Sequence, residues 1–284
     1  MSAAKEGTGS HPWDRAAEGW NNHSAIVDEW LHEATQAMLE AAHLAPGSRV
    51  LDVAAGAGGQ TLDAARIVGR SGEVLATDIS ARILAFAAAQ ARAAGLSNIR
   101  TQVADAQALN LAGSGFDAAI SRLGLMFCTQ PVLALPQIAA ALRPEGRMAA
   151  VVFSQPASNP CIAILMATAC QHAGRAPPPP FTPGTLLSLG QPGLLGSLAE
   201  RAGFLDVDVR ALSAPFRLPS SQDYVNFVRT GGSPIMEILA PLSGEAQAAA
   251  WADISHRLDA FAGPAGWVGP NELLLLSGQR RPST

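Results

Sequence analysis

Arg49-Val50-Leu51-Asp52-Val53-Ala54-Ala55-Gly56-Ala57-Gly58-Gly59-Gln60-Thr61 decides how this chain is read. Val50, Leu51 and Val53 suit a strand buried on both faces. Gly56, Gly58 and Gly59 let the backbone turn sharply and approach a ligand closely, where a Cβ would obstruct it. Two further apolar runs end on acids at matching intervals, Val74–Asp78 and Thr101–Asp105. In an open parallel sheet, ligands bind beyond the carboxyl ends of the strands. A glycine turn with strand-end acids at 52, 78 and 105 therefore describes a nucleoside pocket.

Outward from this stretch, strands and helices alternate. Strands are expected at 49–54, 73–77, 99–104, 116–121 and 147–153, with helices at 60–69, 81–95 and 131–142. Ser80 suits the N-cap of the second of these helices and Gly95 its end. Upstream, the spacing of Ile26, Val27, Trp30, Leu31, Ala34, Met38, Leu39 and Ala42 predicts one amphipathic helix from an N-cap at Ser24 to Pro46-Gly47. Residues 1–12 read as a frayed tail. The alternation gives an α/β fold: a Rossmann-like, doubly wound, seven-stranded sheet, mostly parallel with the last strand antiparallel.

The pattern changes after Phe153. Prolines 156, 160, 177–180, 183 and 192 favour an extended, stiff connection. A helix at 194–202 and a strand at 205–213 follow, then a largely helical stretch at 220–263 and a last strand at 272–277. The expected organisation is a tail or cap over 1–23 and a cofactor-binding core over 24–154. Lid insertions cover 155–196 and 220–263, and 197–219 with 264–284 complete the sheet.

Composition excludes several function classes. The 284-residue chain is 48% apolar, 15% charged and carries a net charge of −4. A sizeable core is available, and no basic footprint for nucleic acid exists. Cys128, Cys161 and Cys170 are odd in number and lack metal-ligand spacing, so neither a disulfide framework nor a metal site is expected. No 18-residue apolar segment and no signal core occur, which points to a cytoplasmic protein without a membrane span. The expected partner is a small-molecule acceptor, and a homodimer is compatible with the chain.

Asp78 lies 20 residues beyond Gly58, where a carboxylate can meet a ribose diol. Its other reading is a cap for the next helix, a role that Ser80 already fits. Asp105 can accept from an adenine amine, with the Ala106 N–H toward the ring, or it can cap a turn. Ile79 can pack on the adenine face or belong to the core. A dinucleotide enzyme would need G-x-G-x-x-G, and Thr61 stands where its third glycine belongs. Asp52 suits a ligand bearing ammonium and sulfonium groups better than a pyrophosphate. S-adenosylmethionine is the expected cofactor, with S-adenosylhomocysteine as its product.

The chain resembles the class I S-adenosylmethionine-dependent methyltransferases, especially the branch holding the ubiquinone/menaquinone C-methyltransferases. Val50–Gly59 is similar to that family's D-x-G-x-G-x-G loop, with Ala54 in place of the first glycine. Ala76–Ser80 resembles its ribose-binding turn, Val103–Ala106 its adenine-binding turn, and Phe116–Phe127 its fourth strand and the segment bordering the methyl group. Leu142–Met148 resembles its L-[RK]-P-G-G turn, with Glu145 in place of a glycine. The resemblance implies that Asp52, Ala54, Gly56 and Gly58 hold the methionine part of the cofactor, with Gln60 and Thr61 capping the helix behind. Arg122 reaches the cofactor carboxylate or is a solvated strand-end arginine.

Methyl transfer is an in-line displacement in which alignment and water exclusion supply most of the acceleration. A base is needed only where the nucleophile must lose a proton. His23 is the first candidate, because related enzymes fold their N-terminal helix over the cofactor. His172, Tyr224 and His256 follow, and all four also read as ordinary polar residues. Trp13, Trp20, Met126, Phe127, Phe181 and Tyr224 are the expected acceptor pocket, with Phe153 and Phe227 beside them. Trp30 fits the core better. A hydrophobic or aromatic acceptor follows. The alternatives are a non-catalytic protein that binds S-adenosylmethionine or S-adenosylhomocysteine and, more weakly, an NAD-dependent oxidoreductase.

Overall fold

The computed structural model describes residues 11–231, 234–264 and 266–282. Its centre is a seven-stranded sheet of β1 (Arg49–Val53), β2 (Glu73–Asp78), β3 (Ile99–Val103), β4 (Phe116–Arg122), β5 (Leu142–Phe153), β6 (Phe204–Ser213) and β10 (Glu272–Arg280). Their order across the sheet is β3-β2-β1-β4-β5-β10-β6. β1 to β5 pair in parallel, whereas β10 runs antiparallel between β5 and β6. Six strands thus share one direction and one opposes them.

Helices α4 (Gly59–Val68), α5 (Ala81–Ala93), α6 (Pro131–Ala141) and α8 (Leu194–Arg201) connect the strands. From β1 the chain steps toward β3, and from β4 it steps the other way. With right-handed crossovers these opposite steps place the connecting helices on opposite faces. The order reverses between β1 and β4, and this switch point fixes where a ligand cleft opens. Val50, Leu51, Val53, Ile120 and Val151 are fully buried there, as two-sided burial of a central parallel sheet requires.

The amino-terminal segment differs from the single helix read in the sequence. It forms α1 (Pro12–Asn22), α2 (Ser24–Trp30) and α3 (His32–Ala41), with breaks at His23 and Leu31. The frayed tail expected over 1–12 ends with helical Pro12, and residues 1–10 lie outside the described residues. His11 caps α1, accepting the Trp13 N–H on Nδ1 at 3.3 Å while its own N–H donates to Asp14 at 3.2 Å. Pro12 at the first helical position suits that start. α1 is tied to α5: the Ser80 hydroxyl donates to Asp14 at 2.5 Å and Arg82 pairs with Glu18 at 3.0 Å.

The proline-rich stretch also holds more structure than expected. α7 (Pro160–His172) starts on Pro160, where the missing N–H costs nothing, and buries Cys161, Leu165, Ala169 and Cys170. It packs with α9 (Ser221–Thr230), α10 (Pro234–Leu239) and α11 (Gly244–Leu258) into a second core around Trp251 and Trp267. A small sheet, β7 (Phe216–Leu218), β9 (Gly266–Gly269) and β8 (Ala262–Gly263), borders this core and was not foreseen.

Candidate functional site

A cavity of about 410 Å³ opens at the switch point. The glycine turn forms its floor. Ala54 and Gly56 have φ of +57° and +59°, and Gly58 at +97° starts α4. A Cβ on Gly58 would lie 2.9 Å from the Ala87 side chain. The residue thus serves both its left-handed backbone and the close packing of α4 on α5.

The structure brings most of the expected cofactor residues to this wall. Ala54, Gly56, Gly58, Gln60, Asp78, Ile79, Asp105, Ala106 and Arg122 all line it. Asp78 is buried, and its two oxygens accept the Gly56 and Ser80 N–H groups at 3.0 Å each. Burial raises its carboxyl above the usual range, against those two bonds. Ser80 caps α5, accepting the Ile83 N–H at 3.1 Å, so Asp78 is free of the capping role. Asp105 does cap a short 3₁₀ turn over 106–108, accepting the Gln107 N–H at 2.8 Å. Ile79 is 38% exposed toward the opening, unlike a core residue.

Two residues of that set stand behind the wall. Asp52 and Thr61 are fully buried and outside the cavity lining. Thr61 Oγ1 donates to Asp52 at 2.6 Å and Gln60 Nε2 donates at 3.2 Å. Gln60 and Thr61 therefore hold the acid beneath the turn rather than only capping a helix. Burial pushes the Asp52 carboxyl up to about 7 despite these bonds. Arg122 is not a solvated strand end: its guanidinium is buried and donates to Thr35 at 2.8 Å and to Asp28 at 3.0 Å. Asp28 and His11, both on the cavity wall, were missed as site residues. The signal for His11 was present in His11-Pro12-x-Asp14, a cap followed by a first-turn acid.

A second, narrower chamber of about 90 Å³ adjoins the cleft. Trp20, Leu123 and Phe127 line both. Met126 and Tyr224 face the second chamber, and Trp13 faces the first, packing edge-on against Phe127 at 4.7 Å. Trp30 is more than core: it lines the second chamber, stacks on Phe153 at 6.1 Å and donates to the Ala214 carbonyl at 2.7 Å. The Ser188 hydroxyl donates to the Met126 carbonyl at 2.6 Å, pinning this turn from the lid side.

Two expectations are not met by this geometry. Phe181 lines neither chamber. His23 also lines neither: its Nε2 is 2.5 Å from the Thr230 hydroxyl and its ring packs on Phe227 at 5.4 Å. The break between α1 and α2 turns it toward α9, which separates it from the cleft. His172 lies 3.1 Å from Asp253, again away from both chambers. His256, in the last turn of α11, also lines neither. Among the described residues no cluster of three potential metal ligands occurs, and no helix is long and apolar enough to cross a membrane.

Comparison with known proteins agrees with this architecture. Residues 50–146 match the methyltransferase domain family. The chain is similar to the ubiquinone/menaquinone biosynthesis C-methyltransferase UbiE of Azotobacter vinelandii, 37% identical over 113 residues; these are 39% of this chain and 45% of that protein. It is also 28% identical over 277 residues to an uncharacterised protein of Mycobacterium tuberculosis, covering 94% of each. YcgJ from Bacillus subtilis shares the fold with a TM-score of 0.59 at 19% identity, covering 89% of this chain and 100% of that one. The glycine turn and the strands around it thus lie in a stretch, residues 50–146, that matches the methyltransferase domain family, within a fold shared with YcgJ. Its similarity to that UbiE spans under half of either chain.

Proposed function

We propose that the protein transfers a methyl group from S-adenosylmethionine to a small, apolar or aromatic acceptor. The observation that carries this reading is the junction of two unlike chambers at Trp20, Leu123 and Phe127. One is lined by acids and backbone amides, the other by rings. The residues of the first fit the cofactor. Asp78 would hold the ribose hydroxyls, with Asp105 and the Ala106 N–H at the adenine and Ile79 on its face. Arg122 and Asp28 offer opposite charges to the carboxylate and ammonium of the methionine part, while the Gly56–Gly58 turn lets the backbone come close. When bound, S-adenosylmethionine supplies an activated methyl on a sulfonium.

The chain's own work is then alignment and water exclusion. α1 covers the opening with Trp13 and Trp20, held by the Asp14–Ser80 and Glu18–Arg82 contacts. Titration calorimetry with S-adenosylhomocysteine tests the cofactor reading, and methyl transfer to a panel of acceptors tests catalysis. Binding without transfer to any acceptor would favour a non-catalytic binding protein. Tight NAD binding with no heat from S-adenosylhomocysteine would overturn the reading.

A further inference from the structure

The aromatic chamber has a property beyond its shape. Among the described residues, its wall carries no carboxylate, imidazole, guanidinium or ammonium group. Its polar groups are the Tyr224 hydroxyl, the Asn271 amide and the indole N–H groups of Trp20 and Trp30. Asn271 Nδ2 is 3.2 Å from the Gly269 carbonyl, and Trp30 is bonded to Ala214. The Trp20 N–H is buried without a partner.

The charged groups of the cleft have partners in the protein, and the cofactor reading assigns Arg122, Asp28, Asp78 and Asp105 to the cofactor rather than to the acceptor. Arg122 and Asp28 pair with each other, Asp78 holds two backbone N–H groups, and Asp105 holds the Gln107 N–H. His11 Nδ1 caps α1, and His23 sits behind Phe227 on Thr230. Tyr224 cannot serve as a base in its place, since burial drives its phenol well above the usual range.

We propose, resting on the cofactor reading above, that the acceptor is a flat conjugated ring bearing an acidic hydroxyl, a phenol or enol, taken up as its anion. The ring fills the aromatic chamber and the anionic atom lies at the Trp20–Phe127 junction, facing the sulfonium. In transfer, a lone pair of the acceptor forms the bond to the methyl carbon, and the sulfur–carbon pair returns to sulfur. One negative and one positive charge disappear, and no proton has to be taken by the protein. A low-dielectric wall strengthens the attraction between the two charges and favours a step that removes both. A neutral hydroxyl would instead leave a proton with no base to receive it. The positive cofactor is thus the counter-ion that admits the acceptor.

The test uses the full chain and 4-nitrophenol, whose anion is coloured and whose methyl ether is not. Its ionisation is followed by absorbance on the S-adenosylmethionine complex and on the S-adenosylhomocysteine complex. The expected result is an apparent pKa about one unit lower on the former, a tenfold preference for the anion. Phe227→Leu should weaken nitrophenol binding and leave S-adenosylhomocysteine binding intact. His23→Asn should leave the tenfold preference unchanged. Equal pKa on both complexes overturns the proposal. So does binding to neither complex when S-adenosylhomocysteine still binds, loss of the preference in His23→Asn, or preferential methylation of N,N-dimethylaniline. Absence of S-adenosylhomocysteine binding would instead mark failure of the cofactor reading.

Discussion

The acidic cleft and the aromatic chamber meet at Trp20, Leu123 and Phe127, yet they are built in opposite ways. The cleft takes its key groups from three short turns: the glycine turn after β1, Asp78–Ile79 after β2 and Asp105–Ala106 after β3. The glycine turn works through its backbone, and each of the other two through its backbone and one acid. The chamber instead collects Trp20 from α1, Trp30 from α2, Phe153 from β5, Phe216 from β7 and Tyr224 with Phe227 from α9. None of these rings has a local motif around it. A polar ligand needs donors and acceptors at set positions, which a turn supplies. An apolar ligand needs only excluded water and fitting volume, which any converging side chains supply.

That contrast can be broken most severely where the two halves are clamped together. A Cβ on Gly19 would stand 1.6 Å from the Thr230 carbonyl oxygen, so α1 and α9 touch backbone to backbone. Gly19→Val should cost about 3 kcal/mol of stability, at the upper end for overpacking. The loss is to be read as a lower urea midpoint, accompanied by weaker S-adenosylhomocysteine binding as α1 lifts. An unchanged midpoint would mean that α1 does not seat on α9 as described.

A change confined to the cleft should act mainly on the cofactor. Asp78→Ala removes a carboxylate able to accept two charge-assisted bonds, each worth roughly 1.5–3 kcal/mol before desolvation is offset. A fall of about 30- to 150-fold in S-adenosylhomocysteine affinity is expected by calorimetry. The same variant tests the ribose assignment, because retained affinity would leave Asp78 with only its Gly56 and Ser80 bonds to explain it.

A further effect lies beneath the glycine turn and depends on pH. Asp52 is pushed up to about 7 by burial, above the ordinary carboxylate value of about 3.9. Between those values the folded protein holds a proton that the unfolded chain releases. Stability from this group is complete below the unfolded pKa and is lost as pH rises through 7. Asp78, also raised, acts with the same sign. Thermal midpoints should therefore fall from pH 5 to pH 8, with a slope of at most about 1.4 kcal/mol per unit from Asp52. Asp52→Asn should flatten this trend, and an equal slope in the variant would remove Asp52 as its source.

The sequence was most legible where local chemistry and long-range position coincide. Asp78, Asp105 and the glycine turn could be placed because strand ends in a parallel sheet share one edge. Ala54 and Glu145 stand where the family pattern has glycine, and both hold the positive φ that glycine would favour, at +57° and +63°. The loop tolerates the two exceptions and keeps its backbone path. Less legible was anything set by partners distant in sequence. His23 has the composition of a candidate base, and only its neighbour Thr230, 207 residues away, turns it from the cleft. Arg122 reads equally as a cofactor ligand and as a solvated strand end, and only Asp28 and Thr35, on α2 and α3, bury its guanidinium. α7 was hidden by its prolines, although Pro160 sits at the helix start where proline is favoured.

By itself the sequence determined the sheet, its glycine turn and the acids at 78 and 105, since alternating burial and strand-end position are encoded over a few residues each. Tertiary structure alone decided which rings share a chamber, which charges neutralise each other and which histidine is withdrawn. Those outcomes depend on pairs separated by tens to hundreds of residues, whose meeting is fixed only when the two cores pack.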